Sequence, residues 1–188
     1  EVPLWNNTYD SLGFYGILNC GATANNNVNI DAVGDIPTAL PSEYMVSVTA
    51  TNSSDVRTFT GFGATTVDLG APGENVVTTS GNNGITSTSG TSFASPLTAG
   101  VIALLYSAPC ESFAEFVRND PQGGADLVRQ ALFDGVDIIP NLVGETVTGG
   151  RINAFNSLLE IMNACLDENI CIPPLAFTSA LENDTVYT

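Results

Sequence analysis

The sequence predicts an α/β fold, with a mostly parallel sheet that is flanked by helices and is incomplete at its N-terminal side. Short apolar runs of strand character alternate with longer segments whose apolar residues recur at helical spacing, and this alternation is typical of a parallel sheet. The chain also begins with a helical segment that leads directly into a buried strand. That order is unusual for such a sheet, and it indicates that the first strands are missing.

The first half of the chain supplies most of the predicted strands. Apolar residues recur at helical spacing over residues 4–15, which predicts an amphipathic helix ending near Gly16. A buried strand follows at 17–24, and an asparagine-rich loop with two prolines occupies 25–41. Further strands are predicted at 44–50, 58–62, 67–70 and 75–79, with turns at 71–73 and 80–84.

After Gly90 the pattern changes to helices. Residues 92–107 are apolar nearly all round, which predicts a helix buried in the middle of the fold. Ser112 and Glu115 have the spacing of a capping box for a short helix to about residue 119. Two more helices are predicted at 125–133 and 152–164. We assign residues 1–166 to one folded unit, and the acidic segment 167–188, which contains adjacent prolines, to a linker towards a following segment.

The composition excludes several classes of function. The chain has 188 residues, with 20 Asp and Glu against 4 basic residues, no histidine and a net charge of -16. Apolar residues make up 44%, which is enough to form a core and excludes a disordered chain. The scarcity of basic residues argues against nucleic acid and membrane surfaces as partners. Without histidine, the chain alone lacks the base of a nucleophile–histidine pair.

Targeting signals and cysteines give less information. The first 30 residues have no basic segment followed by an apolar block, so they do not resemble a signal peptide. A surface rich in Asn and Thr and free of lysine nevertheless favours secretion. The four cysteines allow three pairings, of which Cys165 with Cys171 would close a short loop. Cys20 has the context of a buried thiol, and without a C-x-x-C pair a zinc site is not expected.

One segment, Gly90-Thr91-Ser92-Phe93-Ala94-Ser95-Pro96, carries the chemistry. It places Ser92 at the start of a helix, where backbone N–H groups and the helix dipole favour developing negative charge. Gly90 allows a substrate backbone to approach closely, and Pro96 is expected in the first turn, where it costs no hydrogen bond. The simplest alternative is that Ser92 only caps the helix.

This segment resembles the active-serine motif Gly-Thr-Ser-x-Ala-x-Pro of the subtilisin-like serine proteases. The resemblance continues in the same order over most of the chain, from about residue 17 to 160. Its other motifs are 45–50 (MVSVTA), 59–63 (FTGFG), 67–73 (VDLGAPG), 99–100 (AG) and 149–154 (GGRINA). The resemblance implies a subtilisin-like fold, of which residues 1–166 are the C-terminal part of the catalytic domain.

The resemblance also implies roles for individual residues. Ser92 is the expected nucleophile, and Asn25, which follows the strand at 17–24, is the expected oxyanion-hole donor together with the Ser92 N–H. The expected substrate-binding residues are Ala22, Thr23, Ala24, Gly90 and Thr91. Ala24 stands where the family usually has glycine, and Leu97 where it usually has a structural histidine. The family order of Asp, His and Ser places the first two upstream of this chain.

Two loop features remain open at this stage. The loop 33–37 is expected near the specificity pocket, where Asp35 would either select a cationic substrate side chain or be a solvated loop aspartate. Asn29 and Asp31 are considered as calcium ligands because family members often bind calcium, but they have no recognisable ligand spacing. We therefore expect no required cofactor, and calcium stays an unsupported possibility.

The expected function is a secreted serine endopeptidase whose Asp and His come from upstream sequence. Its expected partners are a polypeptide substrate and the N-terminal part of the same protease domain, with no nucleic acid and no membrane. On its own this chain should be inactive. The alternative is a non-catalytic subtilisin-like module for binding or scaffolding, while an unrelated acidic adhesion domain would leave the ordered motifs unexplained.

Overall fold

The computed structural model describes residues 2–165, so the predicted linker at 167–188 and Cys171 lie outside the described residues. The helices are α1 (Val2–Phe14), α2 (Ile30–Val33), α3 (Thr91–Tyr106), α4 (Glu111–Asn119), α5 (Pro121–Asp134) and α6 (Ala154–Ala164). The strands are β1 (Asn19–Ala22), β2 (Met45–Thr51), β3 (Leu69–Pro72), β4 (Val76–Ser80), β5 (Gly84–Thr88), β6 (Asp137–Ile138) and β7 (Gly150–Arg151).

The predicted α/β class with a mainly parallel sheet is confirmed. A five-stranded sheet has the order β1-β2-β3-β7-β6, in which only β6 runs antiparallel to its neighbour. The strands β4 and β5 form a separate antiparallel ribbon. Its turn has Asn82 and Asn83 at φ 58°, a left-handed conformation that asparagine tolerates well.

The strand β2 explains how the sheet is buried on both faces. Val46, Val48 and Ala50 alternate along it and belong to the apolar core, against which α3 packs. The intervening residues Ser47 and Thr49 face the other way and are also buried. Their hydroxyls donate to backbone oxygens of covering loops, at Thr38 (2.7 Å) and Gly61 (2.7 Å) respectively. One face is therefore covered by apolar packing, and the other is covered by loops joined through polar side chains.

The helices after α3 are held together by a disulfide bond. Cys110, directly before α4, is bonded to Cys165 at the end of α6, with 6.3 Å between their Cα atoms. The pairing of Cys165 with Cys171, considered above, is therefore wrong. Cys20 has no disulfide partner among residues 2–165. Its burial, with the nearby Asp68 carboxylate, raises the pKa of the Cys20 thiol to about 12, as expected for an inert buried thiol.

Several local predictions were wrong. Residues 58–62 form no strand. The Thr60 hydroxyl and the Gly61 carbonyl bond to the Thr49 side chain of β2, and the Gly61 N–H donates to Ala24 O, so no backbone ladder forms. Residues 71–72 complete β3 instead of forming a turn. The cap of α4 is Cys110, whose sulfur accepts from the Phe113 N–H, and not Ser112. The short helix α2 inside the loop 25–41 was not predicted.

The helix α3 is also less buried than its composition predicts. Ile102 and Leu105 face the sheet and are buried, whereas Leu97 and Leu104 on the other side are 40% and 44% exposed. Nothing in residues 2–165 covers that side. No single helix in this part of the chain is long and apolar enough to cross a membrane. The helices α3 and α4 reach that length and apolar character only together, as a pair bent by 107°.

Candidate active site

The predicted site residues meet at the carboxyl end of β1. Asn25 follows this strand closely, and the first residues of α3 lie against it, although the two segments are 66 residues apart in the chain. The carboxyl edge of a parallel sheet is where ligands bind in open α/β folds. Fold and sequence motif therefore point to the same edge.

Ser92 does not cap its helix. The helix begins at Thr91 with Gly90 as its N-cap, and no side chain bonds to the cap position. Ser92 is the second helical residue and is exposed, so the interpretation of a capping serine is wrong. Pro96 lies beyond the first turn and has no N–H to give to the Ser92 carbonyl, so the prediction that it costs no hydrogen bond is also wrong. The Ser92 N–H itself belongs to the first turn of the helix, whose N–H groups have no partner within the helix.

The orientation of the Asn25 amide follows from its contacts with Thr91. The Thr91 N–H donates to Asn25 Oδ1 at 3.0 Å, and the Thr91 hydroxyl lies 3.2 Å from the same oxygen. A backbone N–H has no acceptor capacity, so the amide must turn its oxygen towards Thr91 and its nitrogen away. Asn25 is itself exposed. Its Nδ2 is therefore available as a hydrogen-bond donor on the open side of the site.

Gly90 keeps this amide uncovered. A Cβ placed at Gly90 would lie 3.5 Å from Asn25 Oδ1 and 3.6 Å from Nδ2, and a longer side chain would extend over the amide. Gly90 is held in place because its N–H donates to Gly73 O at 2.8 Å. Glycine at position 90 therefore leaves the Asn25 amide accessible, and this role is independent of its position as the helix N-cap.

The remaining predicted residues form a connected wall behind Asn25. Ala22 ends β1, and Thr23 continues the ladder because its N–H donates to Val48 O at 3.1 Å. The buried Thr91 hydroxyl donates to Thr23 O at 2.6 Å, which joins α3 to this wall. The structure thus brings Thr23, Ala24, Asn25, Gly90 and Thr91 together, with Ser92 next in the chain.

Asp35 is not a solvated loop aspartate. Its Oδ2 accepts hydrogen bonds from the Ala24 N–H at 3.2 Å and from the Thr38 hydroxyl at 2.7 Å. Asp35 is half-buried, whereas Thr38 is fully buried. Sequence reasoning missed this contact because nothing in the spacing of residues 24 and 35 indicates it.

Asp31 likewise has a structural contact. Its Oδ1 accepts from the Thr66 hydroxyl at 2.7 Å, and the Thr65 N–H lies 3.2 Å from both carboxylate oxygens. Partial burial alone would raise the pKa of Asp31, but the hydrogen bonds from Thr66 and Thr65 outweigh it and lower the pKa. Within the described part of the chain, no three acidic or cysteine side chains are grouped as a metal site would require.

Arg57, which was not considered above, contacts the asparagine-rich loop through Asn27. Arg57 forms a two-pronged ion pair with Glu145, at 2.7 and 2.9 Å, and donates to Asn27 Oδ1 at 2.7 Å. Its guanidinium also lies 4.4 Å from the centre of the Phe62 ring. A partly buried bidentate pair of this kind fixes geometry well. Its only sequence signal was that Arg57 is one of four arginines in an acidic chain.

Comparisons with known proteins identify the family and the fold. The model of the subtilase family, Peptidase S8, matches residues 7–120. No curated protein matches the sequence.

Solved structures share the fold. A subtilase cytotoxin SubAB assembly superposes with a TM-score of 0.69 at 20% identity, covering 88% of this chain and 55% of that chain. The A-subunit of the AB5 toxin from E. coli gives 0.68 at 21% identity, covering 85% and 56%. The self-cleaved protease domain of PatA gives 0.61 at 28% identity, covering 84% and 55%. The chain therefore spans about half the length of these structures.

Proposed function

The chain belongs to the subtilase family, and on this basis we propose that it is the serine-bearing part of a serine endopeptidase. The observation that carries the proposal is the contact between Asn25 and Thr91, which turns the Asn25 nitrogen away from Thr91 at the start of the helix that carries Ser92. The 28% identity to the protease domain of PatA, with a TM-score of 0.61, supports a peptidase assignment.

The proposed reaction uses the Ser92 hydroxyl as the nucleophile and Asn25 Nδ2 with the Ser92 N–H as hydrogen-bond donors. Ser92 Oγ attacks the scissile carbonyl carbon, and a histidine from the upstream segment takes the hydroxyl proton. The carbonyl oxygen becomes an oxyanion, which accepts hydrogen bonds from Asn25 Nδ2 and the Ser92 N–H. The histidine then gives its proton to the leaving amine. In the second half the histidine takes a proton from water, which attacks the acyl carbon, and the ester bond breaks as Ser92 Oγ receives that proton.

The proposed partner is the N-terminal part of the same protease domain. Two exposed surfaces support this assignment. The outer edge of β1 pairs with no strand among residues 2–165, and the outer side of α3 exposes Leu97 and Leu104. A strand beside β1 and a helix over α3 would cover both and bring an upstream histidine close to Ser92. We further propose a polypeptide substrate, a secreted location and no required cofactor.

The test uses a fluorophosphonate probe on a protein that contains this chain and its upstream segment. We expect labelling at Ser92, since the probe reacts with activated serines. Ser92→Ala should abolish labelling, and Ser87→Ala, which removes an exposed serine from the ribbon, should leave it unchanged. The 188-residue chain alone should remain unlabelled and should not hydrolyse peptides. Hydrolysis by this chain at ordinary protease rates would contradict the proposal.

A non-catalytic binding or scaffolding module is the second candidate. Both candidates share the fold, and they differ in whether an upstream histidine activates Ser92. A folded protein with its upstream segment in place that the probe does not label would support this second function.

A further inference from the structure

Ala24, the residue before Asn25, has both of its backbone polar groups in hydrogen bonds. Its carbonyl accepts from the Gly61 N–H at 2.7 Å, and its N–H donates to Asp35 Oδ2 at 3.2 Å. The first contact joins two loop backbones. The second contact depends on a side chain, and it is the part of this arrangement that a substitution can remove.

Asp35 is itself held in position. The Thr38 hydroxyl donates to Asp35 Oδ2 at 2.7 Å, and the Thr38 carbonyl accepts from the Ser47 hydroxyl at 2.7 Å. Ser47 belongs to β2, at the centre of the parallel sheet. Gly34, at φ 75°, lets the chain turn from α2 into Asp35. The carboxylate is therefore connected through Thr38 to the rigid sheet.

We propose that Asp35 is a positioning residue, which holds the Ala24 backbone so that Asn25 presents its nitrogen to the oxyanion. The inference rests on the proposed function, because it concerns the geometry of the same site. Asn25 is then fixed on two sides: Thr91 holds its side-chain oxygen, and Asp35 holds the N–H of the preceding residue, Ala24. A donor acts on a transition state only when its position is already set, and small displacements are expensive.

The kinetic test compares substitutions in the protein with its upstream segment. Asp35→Ala should lower kcat about 10- to 100-fold while KM changes less than about twofold, because the oxyanion forms only in the transition state. Asp35→Asn keeps an oxygen for the Ala24 N–H and should remain within about threefold of the wild type. Asp31→Ala is the matched control, because it removes the same charge four residues away. Asp31 contacts Thr65 and Thr66 and not Ala24, so its substitution should leave kcat unchanged.

A double-substitution cycle separates positioning from general damage. If Asp35 acts through Asn25, Asp35→Ala should have little further effect on kcat once Asn25→Ala is present. An equal loss of kcat in both backgrounds would overturn the proposal. A rise in KM confined to substrates with Arg or Lys side chains would also overturn it, because Asp35 would then be a receptor for substrate charge.

A measurement on the 188-residue chain does not depend on activity. The Ala24 amide should exchange its hydrogen slowly, and Asp35→Ala should speed that exchange at least about tenfold, while Asp35→Asn and Asp31→Ala should not. Unchanged exchange in Asp35→Ala would overturn the contact itself. If exchange changes as expected but the wild-type protein with its upstream segment is neither labelled nor active, the proposed function fails while the contact stands.

Discussion

Two regions of the molecule, the β1 flank and the helical flank formed by α4, α5 and α6, are built in different ways. On the β1 flank, the outer strand edge is open within residues 2–165, α3 exposes leucines, and side chains meet through hydrogen bonds around Asn25. On the helical flank, α5 packs on α4 and α6. The Cys110–Cys165 disulfide joins the start of α4 to the end of α6.

This difference separates function from stability. Residues of the β1 flank that carry the proposed chemistry are exposed and contribute little apolar burial. Residues of the other flank, such as Leu132 and Ile161, are fully buried and far from Ser92 in the chain. Substitutions on the first flank should therefore change activity, and substitutions on the second should change the free energy of unfolding.

The largest expected effect is on the β1 flank. Asn25→Ala removes the oxyanion donor, so kcat should fall, and it also removes the acceptor of the Thr91 N–H, which should cost about 1 kcal/mol of unfolding free energy. In a subtilisin, losing such a donor lowers kcat about 100- to 1,000-fold. Steady-state kinetics with the upstream segment present test this, and Asn26→Ala, an exposed neighbour, is the control that should retain full activity. A loss of about 3 kcal/mol or more, as expected for a buried leucine, would break the separation.

The next effect concerns the stability of the helical flank. Replacing Cys110 and Cys165 together by serine releases a loop of 55 residues in the unfolded chain, which should cost about 4 kcal/mol of unfolding free energy. Urea unfolding of the 188-residue chain measures it. Cys20→Ala is the matched control, because Cys20 has no disulfide partner among the described residues, and its cost should be smaller. Equal costs in the two variants would contradict the role of the disulfide.

The same substitution placed on both flanks sharpens the comparison further. Leu132→Ala removes a fully buried side chain and should cost about 3 kcal/mol, including the cavity it leaves. Leu97→Ala removes a side chain that is 40% exposed, and in the isolated chain it should cost less than about 1 kcal/mol. Thermal or urea unfolding of both variants gives the difference. Similar costs would mean that α3 is covered in solution.

The last effect depends on pH and concerns the middle of the sheet. Burial raises the pKa of Asp68 to about 6, although the Ser47 N–H and Arg129 act in the opposite direction. Because the folded protein then binds the proton more tightly than the unfolded chain, this group stabilises the fold below about pH 4. That contribution is lost as the pH rises through 6, and it should amount to about 3 kcal/mol. Asp68→Asn keeps an acceptor for Ser47 and should remove this part of the pH dependence in urea unfolding.

The elements of the fold were largely predictable because their signals are local. The run YMVSVTA at residues 44–50, rich in β-branched and apolar residues, predicts β2, which is observed as Met45–Thr51. The run at 58–62 has the same local character, but its polar groups bond to side chains of β2 and to the loop after β1. Local pattern cannot distinguish a strand from a loop that covers a sheet.

The site was predictable only through the resemblance. No periodicity brings Asn25 to Thr91, 66 residues away, and the carboxylate of Asp35 reaches Ala24 through a turn that only the folded chain defines. The disulfide pairing was not predictable for the same reason, because four cysteines allow three pairings until the helices are packed. Contacts distant in the chain are set by tertiary structure and were missed for that reason.

Thr91 also limits what evolution can place before the serine. Its N–H and hydroxyl bond to Asn25, its hydroxyl reaches Thr23 O at 2.6 Å, and its side chain is only 1% exposed. Valine would match its shape but lose the hydroxyl, and larger polar residues would not fit. Among the twenty amino acids, only serine keeps the hydroxyl at smaller size. Position 91 should therefore tolerate few residues other than threonine and serine, although Thr91 performs no chemistry.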